Sequence, residues 1–362
     1  MRERGGGGGQ GSKLISDGGP SPELHGVIVL DKLRGPTSHD VVAGLRRVLR
    51  TSSIGHAGTL DPMASGVLVA LVGEATKLGA YLTAHEKRYE ARVVFGVATT
   101  TLDAEGKVTE EQVVPPALSE ALEQLRRSPS ESGPPLRLSS DGVDGSRSDP
   151  NSVAFWRARL EVALEVERAR VTQIPPAHSA IKVQGQKSYD RARAGEHVEL
   201  EPRPVSVSQL RIDSSVARPP QVEASRPYLD LELVVSKGYY VRSLARDLGS
   251  TLGFPAHLSG LRRTASGPFA IADAVRMDEG VERLRAALRP LADVARVAIP
   301  PAVLTEQGAG RAKQGKRLTL EDFTTPPTDP SLAAWFDPAG CLVAIGENVE
   351  GFFQVRRGFR DG

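Results

Sequence analysis

Residues 55–66 read GHAGTLDPMASG, and residues 67–73, VLVALVG, follow as an almost wholly apolar segment. The first segment places three glycines around one aspartate, Asp61, which is followed directly by Pro62. An Asp-Pro pair is typical of a helix start, with the aspartate as N-cap and the proline at the first helical position. However, proline disfavours the helical conformation for Asp61, and the glycines allow sharp bends and the close approach of a bulky ligand. The segment therefore also fits a fixed carboxylate with open space around it, as a nucleophile or a general base requires.

The overall composition is that of an ordinary globular protein. The chain has 362 residues, of which 40% are hydrophobic and 25% charged, and this length favours about two domains. One cysteine, Cys341, excludes an internal disulfide, and the seven histidines show no metal-ligand spacing. No apolar run approaches the roughly 18 residues that span a bilayer. We therefore predict a cytoplasmic protein without a membrane partner, whose Gly-rich residues 1–23 form a disordered leader.

The charge is nearly balanced overall but basic in one region. The formal net charge is +2, which by itself predicts no partner. Positions 237–263 carry a basic excess against the single acid Asp247, formed by Lys237, Arg242, Arg246, Arg262 and Arg263. Such an excess can follow a phosphate backbone, although it is also typical of a solvated helix face. Within this group we expect Arg262 and Arg263 mainly to contact phosphates.

Strand and helix patterns alternate irregularly along the chain. Residues 26–32 and 87–99 are typical of strands, residues 116–127 of an amphipathic helix, and residues 228–253 of a strand, a glycine turn and a helix. Thr37 or Ser38 is placed to cap a helix whose apolar face holds Val41, Val42, Leu45 and Val48. Because no steady βαβ period is present, the pattern favours an α+β fold.

Two segments differ in composition from the rest. Residues 128–152 are rich in Ser, Gly, Pro and Asp, so we predict a surface insertion that joins no core. The proline cluster IPPAV, residues 299–303, separates a last segment that contains AAWFDPAGCLVAIGE, residues 333–347. Two apolar runs about a DPAG turn predict a β-hairpin, and the last segment is predicted to be a small β domain.

Residues 55–78, GHAGTLDPMASGVLVALVGEATKL, closely resemble the signature of the tRNA pseudouridine synthase B (TruB) family. Five more blocks resemble motifs of this family and occur in the right order. They are GVIVLDKLRGPTSHDVV (26–42), KRYEARVVFGVATTTLDAEG (87–106), QIPPAHSAIKVQGQKSYDRARAGE (173–196), SKGYYVRSLARDLG (236–249) and AHLSGLRRTASGPF (256–269). The sequence departs from the family pattern at Leu33, where proline is common, and at His178, where an aromatic residue such as tyrosine is frequent. The insertion at 128–152 has no clear counterpart.

The resemblance implies a pseudouridine synthase fold, which is α+β with a mixed, mainly antiparallel sheet flanked by helices. It implies a catalytic domain over residues 24–298 and, more faintly, a small β-rich, PUA-like RNA-binding module over residues 299–362. The implied activity is the isomerisation of uridine to pseudouridine at position 55, in the T-loop of tRNA, by a monomer. The alternatives are the same chemistry on another RNA, and an RNA-binding or RNA-folding module whose catalysis is incidental.

The resemblance also implies roles for single residues. Asp61 matches the nucleophile, Arg242 its ionic partner, and Tyr89 the tyrosine that stacks on the target uracil and helps to remove its C5 proton. Contacts with the substrate are implied for the remaining matched positions, which are Lys32, His56, Tyr240 and Leu261. His56 is expected to occupy the space that a flipped-out uridine leaves in the RNA.

This reaction has modest chemical requirements. It breaks the C1′–N1 glycosidic bond, turns the uracil and joins C5 to C1′, so nothing is oxidised and we expect no cofactor. One carboxylate suffices, attacking either C1′ or C6, whereas a hydrolytic glycosidase needs two carboxylates that flank the bond. The motif offers Asp61 alone, because Glu74 lies beyond the apolar segment.

Overall fold

The computed structural model describes residues 24–127, 149–213 and 226–360, apart from residues 180, 184, 185, 189, 190 and 192–199. The predicted leader, residues 1–23, and residues 128–148 of the predicted insertion lie outside this set. The α-helices within it are α1 (Ser38–Leu49), α2 (Gly79–Ala84), α3 (Pro116–Arg127), α4 (Val153–Arg168), α5 (Val241–Leu252), α6 (Val281–Ala286), α7 (Leu291–Ala298) and α8 (Glu306–Lys313). None of these described helices has the length and apolar content to cross a membrane.

The strands of the described ranges fall into one large sheet, one smaller sheet and several short pairs. In chain order they are β1 (Gly26–Lys32), β2 (Ile54–Ala57), β3 (Ser65–Val72), β4 (Lys87–Phe95), β5 (Val97–Thr99), β6 (Val108–Glu111), β7 (Thr172–Gln173), β8 (Lys182–Val183), β9 (Gln186–Lys187), β10 (Arg203–Pro204), β11 (Val207–Ile212), β12 (Tyr228–Val235), β13 (Ala256–Ser266), β14 (Phe269–Ala270), β15 (Arg289–Pro290), β16 (Pro301–Leu304), β17 (Phe323–Thr325), β18 (Ala333–Phe336), β19 (Leu342–Val349) and β20 (Phe352–Gly358).

The large sheet confirms the predicted fold class. Its strand order is β11-β12-β4-β13-β3-β1-β15, with β2 paired to β3 and β14 paired to β13. All of these pairings are antiparallel except that of β13 with β3. The helices pack against this mixed sheet, so the chain is α+β as the sequence predicts.

Helix α1 begins where the sequence indicates. Thr37 and Asp40 form a capping box, in which the Asp40 N–H donates to Thr37 Oγ1 at 3.1 Å and the Thr37 N–H donates to Asp40 Oδ2 at 2.8 Å. These bonds satisfy backbone donors that the first helical turn leaves without partners. The predicted apolar face is buried at Val41, Val42 and Leu45.

The apolar segment after Asp61 forms the central strand β3. Every residue from Gly66 to Val72 is buried. Residues 66–72 of this strand pair with β1, and its first two residues also pair with β13. The loop that carries Asp61 therefore enters the middle of the sheet, where three strands fix its end.

The C-terminal part is β-rich, and the predicted hairpin is confirmed as β18 and β19. Its sheet has the order β17-β16-β18-β19-β20. Phe336, Leu342 and Ile345 of this sheet belong to the same buried cluster as Leu71 and Phe269 of the large sheet. The two sheets therefore share a hydrophobic core. The more specific interpretation of residues 299–362 as a PUA-like module stays a prediction.

Candidate active site

The Asp61 loop is a turn and does not start a helix. Pro62 and Met63 form the turn, and the Ala64 N–H donates to the Asp61 carbonyl at 3.1 Å. The helix N-cap interpretation of the Asp-Pro pair is therefore wrong for this chain. The Asp61 side chain keeps 32% of its surface exposed, so its carboxylate remains open to a ligand.

Gly66 lets this loop join the sheet closely. Its φ is +103°, a left-handed conformation, and a Cβ at this position would lie 2.2 Å from the Arg263 carbonyl oxygen. Any side chain would therefore push β3 away from β13. The glycine accordingly serves backbone packing next to the Asp61 loop, in addition to the conformational freedom that the sequence indicates.

Residues from β1 and α1 hold the loop from one side. Ser38 Oγ accepts the Leu60 N–H at 2.9 Å and donates to the Leu60 carbonyl at 3.0 Å. Lys32 Nζ lies 3.4 Å from the Pro62 carbonyl, which also accepts the Gly35 N–H at 2.8 Å. The residues on both sides of Asp61 are therefore tied to the first motif of the chain.

Lys32 is buried, with 2% of its surface exposed. Its ammonium group also donates to the carbonyls of Leu33 at 3.0 Å and Pro36 at 2.9 Å. Burial lowers the pKa of Lys32 to about 8, and the nearby Asp61 carboxylate partly offsets this effect. These bonds to backbone carbonyls make Lys32 a support of the loop, and the predicted contact of Lys32 with the substrate stays a prediction.

Arg263 corrects an expectation from the sequence. Its side chain is 1% exposed and donates to three backbone carbonyls, from Nε to Val67 at 2.7 Å, from Nη1 to Thr59 at 3.2 Å and from Nη2 to Gly58 at 3.0 Å. A guanidinium group that is buried and engaged in this way cannot meet an RNA phosphate. The expected phosphate contact of Arg263 is therefore wrong.

The neighbouring Arg262 lies in a different environment. Its guanidinium group pairs with the Asp31 carboxylate at 2.9 and 3.1 Å, and 36% of the side chain is exposed. Successive side chains of a strand point to opposite faces, so one of the two arginines faces the loop and the other faces away. The phosphate contact of Arg262 stays a prediction.

Arg242 and Asp61 are in direct contact. Arg242 Nη2 donates to Asp61 Oδ1 at 3.3 Å, and Nε lies 2.9 Å from Oδ2 without a hydrogen-bond angle. The arginine side chain is only 7% exposed. The backbone holds it as well, because Nη1 donates to the Thr101 carbonyl at 3.0 Å and Nη2 to the His178 carbonyl at 2.9 Å. The structure thus brings the two predicted residues together and fixes the arginine independently of the aspartate.

A second carboxylate, Asp103, lies beside the same guanidinium group and was not singled out by the sequence. Its Oδ2 is 3.6 Å from Arg242 Nη1. Its Oδ1 accepts the Thr101 hydroxyl at 2.6 Å and the Glu105 N–H at 3.0 Å, and its side chain is 6% exposed. In the sequence, Asp103 is the aspartate of a Thr-x-Asp-x-x-Gly turn at residues 101–106, and no role was predicted for it.

Gln173 clamps the start of the helix that carries Arg242. Tyr240 is the N-cap of α5, its N–H donates to Gln173 Oε1 at 2.8 Å, and its carbonyl accepts from Gln173 Nε2 at 3.2 Å. The carbonyl of Ile174, the residue after Gln173, accepts a hydrogen bond at 2.9 Å from the hydroxyl of Ser243 in the same helix. Gln173 is 2% exposed, so these bonds are shielded from water. The sequence placed Gln173 in a motif but did not indicate this contact.

Tyr240 lies within the electrostatic reach of the Asp61–Arg242 pair. Burial raises the pKa of the Tyr240 phenol, and the Asp61 carboxylate acts in the same direction. Its neighbour Tyr239 is buried instead beside Glu167, whose Oε2 lies 3.4 Å from the Tyr239 hydroxyl. The two adjacent tyrosines therefore have different environments, and Tyr240 is the one near the site.

Tyr89 and Leu261 lie on one face of the large sheet. Tyr89 is opposite Arg263 in the β4–β13 pairing, and Leu261 is opposite Ala91. Because side chains alternate along each strand, this register places Tyr89 and Leu261 on the face that carries the Arg263 side chain. Tyr89 also belongs to the buried cluster that contains Leu60. The two residues thus share the face over which the Asp61 loop lies, and their contacts with a substrate stay predictions.

His56 lies on β2, ahead of the loop. Its ring meets the ring of His39 edge to face, with centroids 5.4 Å apart. Burial lowers the pKa of His56, and His39 and Arg263 act in the same direction. We therefore expect a neutral imidazole near neutral pH, which suits packing against an uncharged base better than pairing with a phosphate.

The remaining acids have other partners or other surroundings. Glu74 bonds to Lys77 and accepts the Arg360 N–H at 3.2 Å, on the far side of β3 as the sequence indicates. The pKa of Glu105 is raised by burial first, then by Asp103, with a further contribution from Asp61. Across the described ranges, no group of three or more His, Cys, Asp or Glu side chains could hold a metal ion.

Two family models match the chain. That of the TruB family pseudouridylate synthase N-terminal domain matches residues 46–148 and 138–241. That of the tRNA pseudouridylate synthase B C-terminal domain matches residues 242–292. Together they extend from within α1, across the Asp61 loop and the Arg242 helix, to the start of α7.

Solved structures support the fold. The chain resembles a Cbf5–Nop10–Gar1 complex chain with a TM-score of 0.61 and 22% identity, covering 90% of this chain and 79% of that one. It also resembles a chain of an H/ACA ribonucleoprotein bound to a substrate RNA containing 2′-deoxyuridine, with a TM-score of 0.59 and 20% identity, covering 96% and 93%. At this identity the likeness concerns the fold alone.

Curated relatives are more similar in sequence. The tRNA pseudouridine synthase B of Thermobifida fusca (strain YX) is 37% identical over 329 residues, covering 91% of this chain and 96% of the relative. The tRNA pseudouridine synthase B of Streptomyces griseus is 36% identical over 328 residues, covering 90% and 94%. Because the family models cover more than half of the chain and these relatives align over nearly all of it, the chain belongs to the TruB family of pseudouridylate synthases.

Proposed function

We propose that this protein isomerises the uridine at position 55, in the T-loop of tRNA, to pseudouridine, with Asp61 as the nucleophile. The observation that carries the proposal is the pairing of the exposed Asp61 carboxylate with the buried Arg242 guanidinium group, with Nε 2.9 Å from Oδ2. A carboxylate held in this way is aimed, and it still has a free side from which a ribose or a base can approach.

The proposed isomerisation rearranges bonds within the substrate. The Asp61 carboxylate adds to C1′ or to C6, the C1′–N1 bond breaks, and the uracil turns until C5 faces C1′. The C5–C1′ bond then forms, the C5 proton leaves to solvent, N1 takes up a proton, and the carboxylate is released. Tyr89 is the residue that we assign to stacking on the uracil and to removal of the C5 proton.

The other residues are assigned to contacts with the substrate. Tyr240 and Leu261 line the same region, and His56 fills the space that the extruded uridine leaves in the loop of the RNA. Lys32 supports the Asp61 loop and adds positive charge near the incoming ribose. We propose that the protein acts as a monomer on the T-arm of tRNA in the cytoplasm. The module at residues 299–362 is proposed to bind RNA.

Hydrolysis of the glycosidic bond is less well supported. It needs two carboxylates that flank the bond, and of the two that contact Arg242, only Asp61 is open, since Asp103 is 6% exposed. Glu105 is the remaining acid near the pair. If Glu105 were the second catalytic acid of a hydrolase, the wild type would release free uracil and Glu105→Gln would abolish turnover. We expect Glu105→Gln to keep turnover and the base to stay attached to the RNA.

The experiment uses an unmodified tRNA transcript that carries tritium at C5 of its uridines. Isomerisation releases the C5 hydrogen to water, and a matched transcript with cytidine at position 55 is the control. We expect release from the first transcript and none from the second. Release from both transcripts would mean that another uridine of the tRNA is modified, and would contradict the assignment of position 55.

A further inference from the structure

A cavity of about 500 Å³ lies at the far end of α1 from the Asp61 loop. Three of the five residues that line it are arginines, and the full lining is Arg47, Val48, Arg50, Val281 and Arg285. No carboxylate is among them. Helices α1 and α6 both contribute, so the cavity is formed by the packing of two separate elements.

The arginines of this cavity differ from other arginines on the same two helices. Within the described ranges, the side chains of Arg47 and Arg50 have no ion pair or hydrogen bond. Arg285 Nη1 is 4.0 Å from a Glu282 carboxylate that is 85% exposed. By contrast, Arg46 donates to the Ile54 carbonyl from Nε at 3.2 Å. The positive charge around the cavity is therefore largely uncompensated by acidic side chains of the protein.

The helix end does not account for this charge. A cation near a helix C-terminus offsets the helix dipole, at about 0.3–1 kcal/mol, and Arg47 and Arg50 have that position. Arg50 closes α1 in a left-handed conformation, and its N–H and the Thr51 N–H already satisfy the Arg46 carbonyl. Arg285 comes from another helix and has no such role toward α1. Like charges around one cavity repel each other unless an anion lies between them.

The cavity has a defined position relative to the reaction. Helix α1 has 12 residues, and at about 1.5 Å per residue it is about 18 Å long. Its first residue, Ser38, bonds to Leu60 beside Asp61, whereas Arg47 and Arg50 lie at its other end. An RNA that reaches Asp61 can extend over such a distance, because its backbone carries a phosphate at every nucleotide.

We propose that this cavity binds phosphates of the RNA backbone, as a second contact at the far end of α1 from the Asp61 loop. The inference rests on the proposed function, since that function supplies the RNA. The expected ligand is a phosphodiester, and Val48 and Val281 form the apolar wall beside it.

The test measures binding of a full-length unmodified tRNA transcript at 50 to 200 mM salt. The variant is Arg47→Ala/Arg50→Ala/Arg285→Ala, and the matched control is Arg283→Ala, which removes an α6 arginine that pairs with Glu279 at 3.5 Å. Each lost phosphate contact flattens the slope of log affinity against log salt by about 0.9. For three contacts, the affinity deficit of the triple variant should be about 40-fold larger at 50 mM than at 200 mM salt.

The assay measures binding and not turnover, so its outcome is separate from that of the isomerisation assay. We expect the triple variant to keep the wild-type rate at saturating tRNA, and Arg283→Ala to keep the wild-type salt slope. A triple Arg→Lys variant, which keeps the charges, should also keep the slope. An unchanged slope in the triple alanine variant, or an equal flattening by Arg283→Ala, would overturn the proposal. Inorganic phosphate could instead stabilise the wild type and not the triple variant, while the salt slope of tRNA binding is the same for both. That result would make the cavity a small-anion site and overturn the RNA assignment.

Discussion

Arg242 is far more buried than the carboxylate with which it pairs, since its side chain is 7% exposed and that of Asp61 is 32% exposed. The buried partner is held by backbone carbonyls at 2.9 and 3.0 Å, so its position does not depend on Asp61. The exposed partner is free to exchange one of its contacts for a bond to substrate. This asymmetry is what a preorganised site for a carboxylate nucleophile requires.

Arg242→Lys should lower turnover sharply while tRNA binding changes little. A lysine ammonium group is a point charge on a flexible chain, so it cannot reach Asp61, Thr101 and His178 together as the planar guanidinium group does. We expect the single-turnover rate at saturating tRNA to fall roughly 100-fold or more. Arg246→Lys, on the next turn of the same helix, is the control and should keep most of the rate. A variant Arg242→Lys with a wild-type rate and weakened, less salt-dependent binding would identify Arg242 as a phosphate ligand instead.

Gln173→Met should slow the reaction through a misplaced helix start. The methionine keeps the volume of the side chain but loses both bonds to the Tyr240 backbone, so Tyr240 and Arg242 are less firmly positioned. A small displacement of a catalytic group can be costly, and we expect kcat to fall roughly 10-fold with KM within about 2-fold of the wild type. Gln124→Met, which breaks a surface hydrogen bond to Glu120, should leave both constants unchanged. An effect of Gln173→Met on KM alone would assign Gln173 to substrate binding.

Arg263→Ala and Arg262→Ala should affect different properties of the protein. Arg263 is buried and its removal leaves three backbone carbonyls without this donor, so we expect a loss of about 3 kcal/mol in the free energy of unfolding. Arg262 is partly exposed, and Arg262→Ala should cost at most about 1 kcal/mol. Urea denaturation measures both losses. Equal stability of the two variants would mean that the three carbonyl bonds of Arg263 contribute little.

The stability of the protein should rise with pH through the titration of Lys32. The pKa of Lys32 is about 8 in the folded chain and 10.5 in the unfolded reference. Between these values the unfolded chain binds more protons, so the free energy of unfolding increases with pH in this window. Lys32→Met should flatten that increase by up to about 1.4 kcal/mol per pH unit between pH 8 and 10. Lys316→Met, at an exposed site, is the control, and identical slopes for wild type and Lys32→Met would contradict the assignment.

Local patterns predicted much of the fold. The capped helix α1, the apolar strand β1, the strand β4 and the hairpin of β18 and β19 all lie where the sequence indicates, because each depends on periodicity and turn residues within a short window. The pairing of Asp61 with Arg242 was predicted from the family motifs. Their separation of 181 residues could not be bridged by any local rule.

The environment of individual charges could not be predicted. Arg262 and Arg263 are identical in type and adjacent, and only the strand pairing decides which of them faces the Asp61 loop. The roles of Asp103 and Gln173 depend likewise on contacts with Arg242 and Tyr240 from distant parts of the chain. A sequence states the charge of such residues, whereas burial and partners follow from the tertiary structure.

The central claim is that Asp61 is the nucleophile, and single-turnover measurement of pseudouridine formation by Asp61→Asn tests it most directly. The amide keeps the shape of the carboxylate and loses its nucleophilic oxygen, so tRNA affinity should stay near that of the wild type. The rate at saturating unmodified tRNA transcript should fall roughly 1,000-fold or more. Pseudouridine formation by Asp61→Asn at a rate close to that of the wild type would contradict the account.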